Sequence, residues 1–429
     1  MKRVFSLMAL VLSIAGMLFA GGGAESTEAP ASAENPLTIK IANYAILESG
    51  YEDFWNGVKE GFEARYPQYR IEWVTAPYGE ILNQVINMAG GGDRVDVIFG
   101  EEAWVPQLYA SGLAAPVTGM IDEDFLADFD PAVMDVFTID GDIYGVPLYV
   151  SPFILYYNTE LFEQAGLDPA NPPKTYDEML AAAEKLSQLT DANGNKVYAF
   201  GQTTASVVIS GNALISMIYN FGGDVFTEDG QLNVDNEGFR QAFEMLALLD
   251  EKGYNPQNAK LKDLRNLFAL GQLAMYYDQS WGFNGVTSIN PDAVSFTASA
   301  APLAGGDGTG EAVLCSHCFI LVDNGDAHNE AVNTFVQYVI SEEVLNDYMS
   351  SVTPAYPAKQ SMSDMEAVAN SGVLKGASES ISNVKKVPYV SAMSDISLDL
   401  CTLAQAVTVS NTPVDEAIAA FVRSASVKI

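Results

Sequence analysis

The stretch Tyr144–Met179 constrains the fold more than any other part of this chain. It opens on a Tyr-Gly-Val-Pro turn, and from Leu148 to Tyr157 it carries no charged residue. A strand of that length and composition has to be covered on both faces, as strands of a parallel sheet are. Asn158-Thr159 follow, then a short helix over Glu160–Ala165 that Gly166 stops. After Pro172-Pro173 the spacing Thr175-x-x-Glu178 is a capping box, in which Thr175 caps a first turn and Glu178 reaches back.

Upstream, strand and helix signals alternate. Leu37, Ile39 and Ile41 form an alternating first strand. Ser49 and Glu52 can cap a helix whose Phe54, Val58 and Phe62 share one face. Arg70–Val74 reads as a second strand, Glu80–Met88 as a helix ended by Gly90-Gly91-Gly92, and Val95–Phe99 as a short apolar strand. This alternation predicts a parallel, doubly wound α/β sheet, whose ligands sit beyond the carboxyl ends of the strands.

The N-terminus reads as an export signal. Met1-Lys2-Arg3 precede an apolar run from Val4 to Ala20, too short for a membrane span of about 20 apolar residues. Residues 1–20 are therefore expected to be a signal peptide cleaved near Ala20. Residues 21–36, rich in Gly, Ala, Ser, Glu and Pro, are expected to be a flexible linker. No cysteine follows the apolar run at Ala20-Gly21-Gly22, so no acyl anchor is expected. The mature chain is expected to lie in the periplasm or outside the cell. The full sequence carries 55 Asp and Glu against 21 Lys and Arg, a net charge of −34. Such a surface repels nucleic acid and anionic lipid, which are bound through basic side chains.

Enzyme signatures are missing: there is no Gly-x-Ser-x-Gly elbow, phosphate loop or His-Glu-x-x-His. Two histidines leave little general-base capacity near neutral pH. Carboxylate pairs for glycoside hydrolysis stay open, since 55 acids make some pairs inevitable. Cys315-Ser316-His317-Cys318 looks like a metal motif, but a structural zinc site needs about four ligands. Buried thiols are the preferred reading, with a Cys315–Cys318 disulfide second. Asp191-Ala192-Asn193-Gly194-Asn195 opens like a calcium loop, but Lys196 and Gln202 stand where Gly and Glu are required, so it reads as a polar turn. No cofactor and no metal are expected.

The Tyr-Tyr-Asn, Leu-Phe, Ala-Gly-Leu, Pro-Pro-x-Thr order in Tyr156–Glu178 resembles the extracellular solute-binding proteins of ABC sugar importers, the family 1 group that includes maltose-binding protein. Gly271-x-x-Ala274-Met275 running to Trp281, and Pro302-Leu303-Ala304-Gly305, are similar to that family too. The resemblance covers nearly the whole mature chain. It implies a two-lobed periplasmic-binding-protein fold of type II, each lobe a doubly wound sheet flanked by helices. Three hinge crossings are implied, at Val150–Pro152, Ala312–Val322 and Thr353-Pro354. One lobe would hold residues 37–149 and 316–350, the other 151–314 and 353–429. It implies a monomeric binder rather than an enzyme, with a sugar ligand and a membrane permease as partners.

A sugar site needs aromatic faces for the C–H patches of a pyranose, and carboxylates or amides for its hydroxyls. Position selects among 45 aromatic residues. Just past strand ends stand Asn43 and Tyr44, Tyr78 in a turn, and Glu101 with Trp104; the competing role of Trp104 is packing on Leu108. At the crossings the resemblance points to Tyr149, Ser151 and His317, and on the second lobe to Ser210 and Asn212. Trp281 is the leading candidate, with Asp278 assisting. Trp55 and Trp73 fit core faces. Two rival ligands keep the same fold: a polyamine, suited to the acidic surface, and ferric ion, suggested by Tyr156-Tyr157 and Tyr276-Tyr277. A secreted carbohydrate hydrolase is the remaining alternative.

Overall fold

The computed structural model describes residues 31–48 and 50–429. The expected signal peptide, most of the expected linker and the capping residue Ser49 lie outside the described residues. The helix that Ser49 was expected to cap runs over Glu52–Arg65 and buries Phe54, Val58 and Phe62 as its spacing requires.

Two sheets organise the chain. The larger takes β1 (Leu37–Asn43), β2 (Tyr69–Val74), β3 (Val97–Glu101) and β4 (Val146–Pro152) from the first part of the sequence. The smaller takes β5 (Ile154–Asn158), β6 (Met275–Asp278) and β7 (Thr297–Ala300). The chain then returns to the larger sheet through β8 (Ala312–Leu321), β9 (Tyr356–Pro357) and the short β10 (Val384–Lys385). The larger sheet has the order β9-β4-β8-β3-β1-β2, with β10 beside the start of β8; the smaller has the order β6-β5-β7. Only Phe153 separates β4 from β5, so the charge-free run passes from one sheet into the other without a turn.

Strand direction departs from the parallel expectation. β1 is parallel to β2 and β3, but β8 runs antiparallel to both β3 and β4. In the smaller sheet, β5 is antiparallel to β6 and to β7. Every residue of β4 and β5 is buried, as the absence of charge demands. Burial on both faces follows from coverage by helices and does not depend on the direction of the neighbouring strands. The apolar pattern therefore fixes the burial and leaves orientation open.

β5 shows how two cores share one strand. Ile154 and Tyr156 point into the core of the larger sheet, while Leu155 and Tyr157, with Phe153 just ahead of the strand, belong to a second core around the smaller sheet. Successive side chains on a strand face opposite ways, so a single strand can serve both. The tyrosine doublets are spent here. Tyr156 and Tyr157 hydroxyls donate to the carbonyls of Gln279 and Pro169, each at 2.9 Å. Tyr276 donates to Asp278 Oδ2 at 3.2 Å, and Tyr277 accepts from Leu303 N at 3.0 Å. The ferric-ion reading loses the ligands that suggested it.

The helices Val208–Asn220 and Met393–Thr408 share the second core with the smaller sheet and pack closely on each other. Gly211 makes that approach possible: a methyl group there would lie 2.5 Å from Ser397 Cα, a backbone atom that cannot swing aside. At an exposed helical site Gly→Ala stabilises by roughly 1 kcal/mol. Here the sign should reverse. Gly211→Ala is expected to lose about 1–3 kcal/mol in urea unfolding through overpacking, and a gain in stability would contradict this packing.

Candidate functional site

The carboxyl ends of β1 and β3 and the middle of β8 meet at one place. Past β1, Tyr44 turns its hydroxyl to His317 Nε2 at 2.6 Å. On β4, Tyr149 holds the other ring nitrogen, with its hydroxyl 2.5 Å from His317 Nδ1. Tyr348, on the helix Glu342–Ser351, donates to the Tyr149 hydroxyl at 2.9 Å. The β8–β4 register shifts between His317 and Cys318, a bulge in mid-strand of the kind that re-aims a side chain. From the smaller sheet, Trp281 sets its indole edge-on to the His317 ring, 5.4 Å between centroids, and 6.2 Å from the Tyr149 ring.

A second group of side chains continues from Tyr44. Tyr78 packs against it edge-on at 5.1 Å, and Trp104 lies 5.6 Å from each of them. Tyr78 is the first residue of the helix Tyr78–Gly90 rather than a turn residue. It donates its hydroxyl to Glu101 Oε2 at 2.8 Å and remains 44% exposed. Glu101 also lies 4.0 Å from His317 Nε2, with 30% of its side chain exposed. Trp104 is buried, its ring packed against the Cα of Gly100. Trp104 and Leu108 are buried in the same core, and the Trp104 ring backs Tyr44 and Tyr78.

Several expected contacts are committed elsewhere. Asp278 is fully buried and receives both Arg265 nitrogens, Nε at 2.6 Å and NH2 at 2.7 Å, with Tyr276 and Gln279 N completing its shell. It anchors the helix Leu261–Ala269 to β6 and has no lone pair left for a guest. Ser151 is buried and bonded to Ser280, accepting from Ser280 N at 2.6 Å, while Ser280 Oγ donates to the Pro354 carbonyl at 3.1 Å. Through Ser280 it ties the end of β4 to the chain at Pro354, and it is fully buried. Asn43 is buried with Oδ1 turned back to Ala45 N at 2.9 Å. On the helix Val208–Asn220, Ser210 is buried against Thr203, 2.7 Å between hydroxyls, and Asn212 is half-buried.

Sequence reasoning passed over Glu102. Its Oε2 accepts from Ser316 N on β8 at 2.6 Å, bridging the end of β3 to the crossing strand. The available signal was its place: an acid directly after a strand and beside a candidate acid. Burial, followed by the neighbouring Glu101 carboxylate, pushes its carboxyl up to about 8. Burial also raises Glu101, against the lowering effect of the Tyr78 hydrogen bond. His317 moves the other way, down to about 4, because burial disfavours the imidazolium. At neutral pH the site therefore holds a neutral imidazole and a protonated Glu102.

The thiols are inert by the same cause. Cys315, Cys318 and Cys401 are free and buried, and burial raises the thiols of Cys315 and Cys318 well above their ordinary range. Cys315 and Cys318 sit three residues apart on an extended strand, about 10 Å, where a disulfide needs Cα atoms within about 7 Å. Among the described residues no cluster of three or more His, Cys, Asp or Glu could hold a metal ion. Asp191 accepts from Asn193 N, Asn195 N and two side-chain amides, which closes a turn and holds its carboxyl down to about 2.

Glu102 gives a pH test. Its folded value is raised, so the folded state holds a proton that the unfolded chain releases above the ordinary carboxyl range. Its stability contribution is present at low pH and is lost as pH rises through about 8. Glu102→Gln keeps an acceptor for Ser316 N and removes the charge. The variant is expected to be more stable than the parent at pH 8.5, with the difference vanishing near pH 4 in urea titrations. Equal stability at both pH values would contradict a protonated Glu102.

The chain matches the family model "Bacterial extracellular solute-binding protein" over residues 58–375. A binding protein of Brucella abortus is 24% identical over 298 residues, 69% of this chain and 70% of its own. The sn-glycerol-3-phosphate-binding periplasmic protein of Agrobacterium fabrum is 28% identical over 150 residues, about a third (34%) of each chain. In structure, the cyclic α-maltosyl-1,6-maltose binding protein of Arthrobacter globiformis superposes with a TM-score of 0.78 at 21% identity, covering 91% of this chain and 98% of that one. That likeness establishes the two-lobed architecture. Two sheets joined by crossing strands, an aromatic and acidic cluster where they meet, and a family match over most of the sequence agree: the chain belongs to the bacterial extracellular solute-binding proteins, whose place is the periplasm or the cell exterior.

Proposed function

We propose that this protein captures a neutral sugar or short oligosaccharide and delivers it to the membrane permease of an ABC importer. The observation that carries the reading is the cluster of Tyr44, Tyr78, Trp281 and Glu101 where the two sheets meet. Aromatic faces suit the C–H patches of a pyranose, and an exposed carboxylate suits its hydroxyls. Among the described residues, no Lys or Arg is bonded to this cluster; the nearby Arg265 is taken by Asp278. An anionic guest, such as the glycerol phosphate named for the Agrobacterium relative, would meet Glu101 with no cation to offset it. A polyamine is served less well than two adjacent acids suggest, because Glu102 is protonated at neutral pH. The sugar bound by the Arthrobacter structure's protein, as its name states, is of the same neutral class.

On this reading residues 37–149 and 316–350 form one lobe and 151–314 and 353–429 the other, apart from Ala312–Leu314, Tyr356–Pro357 and Val384–Lys385, which pair into the larger sheet of the first. The lobes rotate about the three crossings, and closure follows because a guest touches Glu101 and Trp281 together only in the closed form. The rims of the two lobes meet the permease, the binder acts as a monomer, and no catalysis is involved. Asn212 is retained as a further lining residue.

A thermal-shift panel of neutral sugars, spermidine and glycerol 3-phosphate tests the reading. A guest at a hundred times its dissociation constant adds about 2.7 kcal/mol. One neutral sugar class is expected to raise the melting temperature, and Trp281→Ala to weaken that sugar about tenfold. A shift with spermidine or glycerol 3-phosphate alone, or with no compound, overturns it.

A further inference from the structure

His317 does more than fill the crossing strand. Its two nitrogens are both taken by phenols, Tyr44 at 2.6 Å and Tyr149 at 2.5 Å, and Tyr149 in turn accepts from Tyr348 at 2.9 Å. Its ring is also fixed by stacking on Phe99, 5.4 Å away at an interplanar angle of 13°, and by Trp281 edge-on. A neutral imidazole has one N–H and one acceptor nitrogen, so each phenol meets a different partner.

Two features select which nitrogen carries the proton. Tyr348 donates to the Tyr149 oxygen, which leaves the Tyr149 proton to go to Nδ1 and makes Nδ1 the acceptor. Glu101 Oε1 lies 4.0 Å from Nε2, and a carboxylate at that distance favours the positive N–H edge of the ring on its own side. With Nε2–H donating to the Tyr44 oxygen, the Tyr44 proton has no acceptor in the relay. Tyr44 is itself buried, at 7% exposure, but packs edge-on against Tyr78, which with Glu101 forms the exposed end of the cluster.

We propose that His317 is a positioning residue, held as the Nε2–H tautomer at the end of a Tyr348–Tyr149–His317 relay, which turns Tyr44 into a hydrogen-bond donor for the guest. The relay draws on three separate parts of the chain: β4 at the first crossing, β8 at the second, and the helix that precedes the third. The same contacts that tie the crossings together thus set the polarity of a binding group. The donor is matched to a guest with a hydroxyl or ring oxygen at that point. This last step rests on the sugar reading; the tautomer itself does not.

The chain has two histidines, so nitrogen NMR of the ligand-free, histidine-labelled full chain resolves the question, with His328→Gln assigning the signals. The expected result is a neutral ring protonated on Nε2 from pH 5.5 to 8, consistent with a value pushed down to about 4. Tyr149→Phe should move the Nδ1 shift and leave His328 unchanged. A proton on Nδ1, a mixture of tautomers, or a charged ring in that range overturns the proposal. With maltotriose as probe, Tyr44→Phe keeps the ring and is expected to bind about tenfold more weakly. His317→Leu should match that loss, and His317→Gln, which can still donate to Tyr44, should recover most of it. Parent-like affinity in His317→Leu overturns the positioning role. If maltotriose does not bind the parent, the sugar reading suffers and the tautomer measurement decides the relay alone.

Discussion

The pairing of β8 with both β3 and β4 is the constraint on which everything else depends. β8 runs ten residues, buried at nearly every position, and lies between the two strands that carry the site. Its register sets His317 opposite Glu101 on one side and opposite Tyr149 on the other. A slip of one residue would turn every side chain of β8 to the opposite face. His317 would leave its two phenols and Ser316 N would leave Glu102. The bulge beside His317 sits where that register has to satisfy both neighbours at once.

Electrostatics then separates residues that build from residues that can bind. The protein is strongly acidic, yet the buried acids near the junction are individually satisfied. Asp278 is neutralised by Arg265 in two parallel charge-assisted hydrogen bonds, an arrangement that costs stability when one partner is removed. Glu102 is kept as an acid by burial and holds the backbone of the crossing strand. Glu101 keeps a part-exposed carboxyl bonded only to the Tyr78 hydroxyl. The site thus presents a single hydrogen-bonding carboxyl among aromatic rings, a chemistry suited to polyols and poorly suited to anions.

Much of this architecture was legible in the sequence. The alternation in Leu37–Ile41 and the helical spacing of Phe54, Val58 and Phe62 place the first βαβ unit correctly, and the charge-free Leu148–Tyr157 run marks the passage between sheets. Glu101 and Tyr44, chosen for standing just past strands, come together with Trp281, chosen on the resemblance, and with His317, chosen for its place at a crossing. What was not legible depends on partners distant in sequence. Nothing local tells that Asp278 will meet Arg265, that Ser151 will clasp Ser280 and Pro354, or that Ser210 will turn to Thr203. Strand direction was hidden for a similar reason, because buried strands look alike whichever way their neighbours run. Glu102 was visible but undistinguished, since its role lies in the backbone it reaches on β8.

The central claim is that one guest is shared between two bodies joined at the crossings. Small-angle X-ray scattering of the full chain, with and without a saturating sugar that raises its melting temperature, addresses this most directly. The account predicts a smaller radius of gyration in the bound state, as the bodies carrying Glu101 and Trp281 draw together. Saturable binding with an unchanged scattering profile would contradict it.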